Sequence, residues 1–258
     1  MPAEDSTHAG RVAVVSGAAR SFGRAVAVAL AEAGAVVAAV DLRDCEETVA
    51  SVSATGAGKV SAFRADVADP DAVKRLAAEV HDACGPCDIL VNLAGINFSA
   101  PFEALDIATW RRVLAVNLES QFLMCAAFAP DMVAGEWGRI VNMASSSIYT
   151  NTPGLTAYMA SKAGALGLTS GLANDLGPHG ITVNAVSPGL TRTDAVQESI
   201  RAGEFPEAVL EEMVGQRAIP REAEVEDLVG TISFLTSEAA AFVTGRFIVA
   251  DGGATRSF

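Results

Sequence analysis

The chain has 258 residues, half of them hydrophobic, with 31 Asp and Glu against 18 Lys and Arg and a net charge of −13. That length allows one large α/β domain or two small ones, and the apolar share suffices for a sizeable core. The acidity disfavours nucleic acid and anionic membrane surfaces as partners, by repulsion.

Residues 1–10 form a polar, acidic tail without the basic start and apolar centre of a signal peptide. The most apolar stretch, Val26 to Val40, is interrupted by Glu32 and Gly34 and is too short to span a bilayer. A soluble cytoplasmic protein is the expectation. From Arg11 onward, strand-like and helix-like segments alternate. Val12–Ser16 reads as a strand. The turn Ser16-Gly17-Ala-Ala-Arg20-Ser21-Phe22-Gly23 then opens a helix over Gly23–Ala33. Small residues there let backbone approach a pyrophosphate, and the helix N-terminus adds N–H donors and a positive dipole end. The next strand, Val36–Val40, ends at Asp41, 24 residues after Gly17. A carboxylate so placed accepts both hydroxyls of an adenosine ribose and repels a 2′-phosphate. That favours NAD over NADP, with Arg20 and Arg43 as the contrary signal.

A helix over Cys45–Val52, a strand over Lys59–Arg64 and a helix over Ala72–Ala83 follow. Cys84-Gly-Pro-Cys87 has the spacing of a redox pair but lies in a helix-to-strand turn, whereas a redox pair opens a helix whose N-terminus acidifies the thiol. The two are therefore read as structural thiols. His81, Cys84 and Cys87 lack a fourth soft ligand, so no metal is expected. The strand Ile89–Asn92 leads to a long helix across Thr109–Ala134, and the strand Ile140–Met143 to a helix over Ala157–Leu176. After the strand Thr182–Ser187 comes an irregular stretch to about Arg221, then a helix over Val225–Leu235 and a last strand, Phe247–Ala250. Continuous apolar strands in strict alternation with helices predict one doubly wound parallel sheet of seven strands with helices on both faces. No interdomain linker is evident, so residues 11–258 are read as one domain.

On the Ala157–Leu176 helix, Tyr158 and Lys162 stand four apart and share one face, with Ser145 thirteen residues upstream of Tyr158. A phenol with its ordinary pKa of about 10 is a poor acid or base at neutral pH, and a neighbouring cation lowers that value. A hydroxyl such as Ser145 can hold the oxygen that gains or loses the proton. The set suits alcohol–carbonyl interconversion by general acid–base catalysis. Alone, Tyr-x-x-x-Lys fits an ordinary amphipathic helix equally well.

Taken together, these residues resemble the single-domain type of short-chain dehydrogenase/reductase, from about Arg11 to Gly253. Gly17, Ser21 and Gly23 match that family's glycine-rich turn, with Ser21 in place of the middle glycine. Asp66-Val67 matches the pair that contacts adenine, and Asn92-Leu-Ala94-Gly95 matches Asn-Asn-Ala-Gly with Leu93 replacing the second Asn. Asn117 matches the active-site asparagine, and Ser145, Tyr158 and Lys162 match the catalytic trio. Pro188-Gly189-Leu-Thr191-Arg-Thr193 matches the loop that holds the nicotinamide amide, and Asp251-Gly252-Gly253 the C-terminal turn. The resemblance implies a Rossmann fold, NAD binding that also uses Arg20, Phe22 and Leu42, and assembly as a homotetramer or, less commonly, a dimer. It implies that Tyr158 exchanges the substrate proton, Lys162 holds the nicotinamide ribose, and Asn117 anchors a water that relays protons towards Lys162. Ser21 is expected to alter NAD affinity slightly, its hydroxyl bonding phosphate.

The substrate is less legible. Asn97, Phe98, Ser147, Tyr149, Leu155 and Leu190 are the candidate pocket residues, with the segment 193–217 as a lid crowded by Glu198, Glu204, Glu207, Glu211 and Glu212. Neutral lining under an acidic lid points to a small or medium uncharged secondary alcohol or ketone. Local resemblance to NAD-dependent 1-phenylethanol dehydrogenases of the family makes aryl-alkyl ketones one option. Two other readings stay open: a 3-oxoacyl-thioester reductase of the same family, and a non-catalytic nucleotide-binding scaffold. A methyltransferase on a related sheet has no use for the Ser–Tyr–Lys set.

Overall fold

Seven strands form one parallel sheet: β1 (Val12–Ser16), β2 (Val36–Asp41), β3 (Lys59–Arg64), β4 (Ile89–Asn92), β5 (Gly138–Met143), β6 (Ile181–Pro188) and β7 (Phe247–Ala250). Their spatial order is β3-β2-β1-β4-β5-β6-β7. The computed structural model describes residues 7–56, 58–150, 152–203 and 205–255, so the start of the tail and Glu204 lie outside it. The doubly wound sheet predicted from the alternation is the sheet observed.

Strand side chains alternate between two cores, as the two-residue period requires. Ala13, Val15, Val37, Ala39, Ile89 and Val91 face one cluster with Leu30 of α1 (Ser21–Glu32) and Ile232 of α9 (Glu226–Leu235). Val14, Ala38, Val40, Leu90 and Ile140 face the other, with Leu76 of α3 (Pro70–Cys84) and Phe128 of α5 (Ser120–Ala134). Burying each such large side chain contributes about 2 kcal/mol. The remaining helices are α2 (Glu46–Thr55), α4 (Ile107–Leu114), α6 (Thr156–Leu176), α7 (Asp194–Arg201) and α8 (Glu207–Gly215).

Two expectations need amendment. The long helix predicted across Thr109–Ala134 is broken in the middle by a π turn, Ala115–Glu119, that joins α4 to α5. Among the described residues, the run Ile107–Ala134 is long and apolar enough to cross a bilayer, yet its Met124, Phe128 and Met132 are fully buried in the sheet-facing core. The stretch before Arg221 is not irregular, because it carries α7 and α8. Thr193 caps α7 by accepting from the Val196 amide, with Asp194 in the first turn and Arg201 in the last, a charge arrangement that suits the helix dipole.

The order in which strands are added reverses between β1 and β4, which opens a crevice at the carboxyl ends of those strands. There α1 docks closely on the turn that precedes it. A Cβ built on Gly23 would stand 2.0 Å from the Gly17 carbonyl oxygen. Gly23→Ala should therefore lower stability by about 3 kcal/mol, measured by urea unfolding. An unchanged midpoint would show that the turn can move aside.

Candidate active site

At the crevice, Gly17 has a φ of +73, and a Cβ there would lie 2.9 Å from the Ala94 amide nitrogen. Only glycine leaves this cradle open. The helix α1 that follows has no side-chain cap and no acidic residue in its first turn, so its amides remain available to an anion. Ser21, at the place of the family's middle glycine, has a φ of +47, a conformation that favours glycine. Its hydroxyl is committed elsewhere, donating to Asp194 Oδ2 at 2.8 Å and accepting from the Asp194 amide at 3.1 Å. The neighbouring Arg20 pairs with Glu198 of α7 at 2.6 Å. Both residues thus tie the lid helix to the turn. Phe22 is half-buried and packs against the core cluster that α1 covers.

Asp41 ends β2 with one carboxylate oxygen accepting from Ala19 N at 3.1 Å and the other from Arg43 N at 2.9 Å. A carboxylate has about four acceptor sites, so capacity remains for ribose hydroxyls. Leu42 beside it is exposed, and the Arg64 side chain bonds the Leu42 carbonyl. Asp66 turns its carboxylate to the Ala68 amide while Val67 is buried. Leu93 and Ala94 donate their amides to Ser16 Oγ, which fixes the strand end that Gly95 continues. Asn92 is different: its side chain lies inside the sheet, donating to Asn142 Oδ1 at 2.9 Å, and turns away from the crevice. These residues fit the diphosphate, ribose and adenine of a dinucleotide.

The reacting end lies where β5, the π turn and α6 meet. Lys162 is 2% exposed, and its Nζ donates to the Met143 carbonyl at 3.1 Å. Burial pulls its pKa down to about 8. Its Nζ lies 5.7 Å from the Tyr158 ring centroid. For Tyr158 itself, burial pushes the phenol above its ordinary value, and a hydrogen bond with Ser145 offsets part of that. The sequence-based expectation of a net lowering is thus reversed in the protein alone, because desolvation of the phenolate outweighs the Ser145 hydrogen bond. Ser145 Oγ accepts from Ser147 N at 3.2 Å and from Ser147 Oγ at 3.0 Å.

Asn117 is wholly buried in the π turn. Its Oδ1 accepts from Ile96 N at 2.8 Å, and its Nδ2 donates to Ile96 O at 2.9 Å and Ser161 Oγ at 3.2 Å. The side chain therefore works as a backbone clamp, holding the segment after Gly95 against α6. A Cβ on Gly95 would lie 3.2 Å from Asn117 Oδ1 and 3.6 Å from Lys162 Nζ. Gln121 escaped the sequence reading. Its Nε2 donates to the carbonyls of Asn117 and Met143, at 2.9 and 3.0 Å, and so joins the π turn to the lysine's own acceptor. A lone buried amide four residues after Asn117 was the available signal.

Of the loop that follows β6, Thr191 Oγ1 bonds the Gly189 carbonyl, Arg217 bonds the Leu190 carbonyl, and Thr193 serves as the α7 cap. Pro188 ends β6, and a Cβ on Gly189 would stand 2.8 Å from Asp251 Cβ. Among the predicted substrate residues, Asn97 and Tyr149 are exposed, while Phe98, Ser147, Leu155 and Leu190 are half-buried. Glu198 and Glu207 of the lid face Arg20 and Arg192, so its acidity is partly neutralised, while Glu211 and Glu212 are exposed. A cavity of 590 Å³ lies between α1 and α9, beside Ser21 and Asp194, and its lining includes none of Ser145, Tyr158 and Lys162. It carries no part of the chemistry described. Cys87 is buried and its thiol is pushed well up, contrary to what a redox pair requires.

Residues 17–255 match the family model described as "Enoyl-(Acyl carrier protein) reductase". The chain is 38% identical to D-threitol dehydrogenase of Mycolicibacterium smegmatis, over 95% of this chain and 93% of that one. It is 37% identical to (3R)-3-hydroxyacyl-CoA dehydrogenase of Canis lupus familiaris, over 94% and 95%. A solved structure from Beutenbergia cavernae with bound NADP at low occupancy superimposes with a TM-score of 0.88 at 37% identity, covering 96% of this chain and 97% of that one.

The buried amine gives a direct test. Depressing Lys162 from its ordinary 10.5 to about 8 costs about 3 kcal/mol of stability at neutral pH, and the hydrogen bond to Met143 returns about 1. Between about pH 8 and 10.5 the unfolded chain binds the extra proton, so this penalty fades as pH rises. Lys162→Met should therefore be more stable than the parent by about 2 kcal/mol at pH 7, with the gain shrinking towards pH 10, in urea unfolding at both values. A destabilised variant at pH 7 would mean the amine is well solvated.

Proposed function

On the premise that the chain belongs to the short-chain dehydrogenase/reductase family of oxidoreductases, we propose that it interconverts a secondary alcohol and its ketone with NAD(H). The substrate we assign is small to medium in size and uncharged, with aryl-alkyl ketones as one class to test. The observation that carries the reading is the convergence of Ser145, Tyr158 and a buried Lys162 on one crevice, opposite Asp41 and the open Gly17 cradle.

Gly17, Gly23 and the α1 amides, that of Ser21 among them, would hold the diphosphate of NAD, Asp41 and Leu42 its adenosine ribose, and Asp66 and Val67 its adenine. Ala94, Gly95 and the Pro188–Thr193 loop would flank the nicotinamide. When bound, that ring supplies the site that takes or gives a hydride. Tyr158 takes the proton from the substrate hydroxyl in oxidation and returns it in reduction, while Ser145 donates a hydrogen bond to the same oxygen. Lys162 stays charged below about pH 8, and its charge favours the Tyr158 phenolate once the phenol loses its proton. Asn117 and Gln121 hold the backbone that places Lys162, and water excluded there keeps the field of the amine strong.

NAD is favoured over NADP because the Asp41 carboxylate meets a 2′-phosphate with repulsion and Arg20 is turned to Glu198. A thioester-reducing activity is the second reading, supported by the name of the hydroxyacyl-CoA relative. The exposed Phe122 on α5, 52% accessible, supports assembly through the α5 and α6 faces into a homotetramer or dimer.

Following NADH and NADPH absorbance against a panel of ketones, acetoacetyl-CoA included, separates these readings. The expected result is faster turnover with NADH and preference for an uncharged ketone. Faster turnover with NADPH would overturn the Asp41 argument, and preference for the thioester would install the second reading. Tyr158→Phe should abolish turnover and leave NADH binding, followed by its fluorescence, nearly intact. Activity within tenfold of the parent would remove Tyr158 from the mechanism.

A further inference from the structure

Ser145 has both of its acceptor positions engaged. A hydroxyl has two lone pairs and one proton. Both acceptor positions of Ser145 Oγ are taken by a single neighbour: Ser147 donates its amide at 3.2 Å and its own hydroxyl at 3.0 Å. What remains to Ser145 is its proton, and it lies in hydrogen-bonding contact with Tyr158. Ser147 is itself held, since its carbonyl accepts from the Thr150 amide at 3.1 Å and the Thr150 hydroxyl at 3.0 Å. The arrangement stands in the short 3-10 turn Ser146–Tyr149, which Ser145 caps.

We propose that Ser147 is a positioning residue for the reaction: its hydroxyl, donating to Ser145 Oγ, commits the one proton of Ser145 to be donated, to Tyr158 in the empty site and to the reacting oxygen once substrate is bound. The sense of the Ser145–Tyr158 bond matters. A Ser145 free to rotate would at times accept the phenol proton, which stabilises the neutral phenol and opposes its ionisation. With both lone pairs engaged, Ser145 donates to the phenolate, and the chain Ser147–Ser145–Tyr158 strengthens each bond by polarisation. Ser147 would then act through Ser145, not as a liner of the substrate pocket. The inference rests on the proton-transfer role given to Tyr158 above.

The chain has two tyrosines, Tyr149 and Tyr158, so in a Tyr149→Phe background every phenolate signal comes from Tyr158. Ultraviolet titration in that background needs no substrate and no cofactor, with circular dichroism on the same samples marking the range in which the fold is intact. Adding Ser147→Ala should move the ionisation of Tyr158 upward by about half a pH unit, and Ser147→Thr, which keeps the hydroxyl, should titrate with the parent. A Ser147→Ala curve that superimposes on the parent overturns the proposal. So does a Ser147→Thr curve displaced as far as that of Ser147→Ala, because loop disruption would then explain both. If the titrations behave as expected while no ketone is turned over, the function reading fails and the Ser147 assignment stands.

Discussion

Lys162 carries an amine into a place where water is almost wholly excluded, and much of the surrounding architecture answers to that. The Met143 carbonyl at the end of β5 receives it, and Gln121 binds the same carbonyl from the first turn of α5. Asn117 clamps the backbone after Gly95, which brings that glycine within 3.6 Å of the amine at its open Cβ position. A side chain at 95 would crowd the lysine, and a regular helix at 115–119 would leave Asn117 elsewhere. π turns within α-helices recur at functional sites because they redirect a side chain at the expense of regular hydrogen bonding. Stability is given up here so that a cation with a depressed pKa stands beside a phenol.

That arrangement also accounts for the reversed sign at Tyr158. In the protein alone, removing the phenolate from water outweighs the hydrogen bond from Ser145, so the phenol is harder to ionise than in water. The tyrosine is therefore held neutral while the site is empty of substrate and cofactor charge. The hydrogen bond with Ser145 acts against burial, which makes the orientation of one hydroxyl consequential.

The parallel sheet and its seven strands were legible because strands buried on both faces write continuous apolar runs, and the strand at 59–64 was located to the residue. Ser145, Tyr158 and Lys162 were legible because the helical spacing puts the last two on one face. The π turn was not, since the apolar period of Ile107–Ala134 continues through it and the cause is a clamp on Ile96, distant in sequence. The lid helices were missed because α7 has no buried residue and its polar sequence reads as loop. The Ser21 hydroxyl was expected at phosphate and instead meets Asp194, 173 positions away, a contact that no local pattern encodes. For the same reason Arg20 was read as a cofactor contact when it joins Glu198.

The central claim is that the amine beside Tyr158 titrates within reach of physiological pH. The chain has three lysines, so ε-carbon-labelled lysine gives a spectrum in which the resonance missing from Lys162→Met identifies Lys162. A proton titration followed by NMR should place the midpoint of that resonance at about 8. A midpoint near the ordinary lysine value of about 10.4 would contradict the account, since the amine would then be solvated and the site would lack the buried cation on which its chemistry depends.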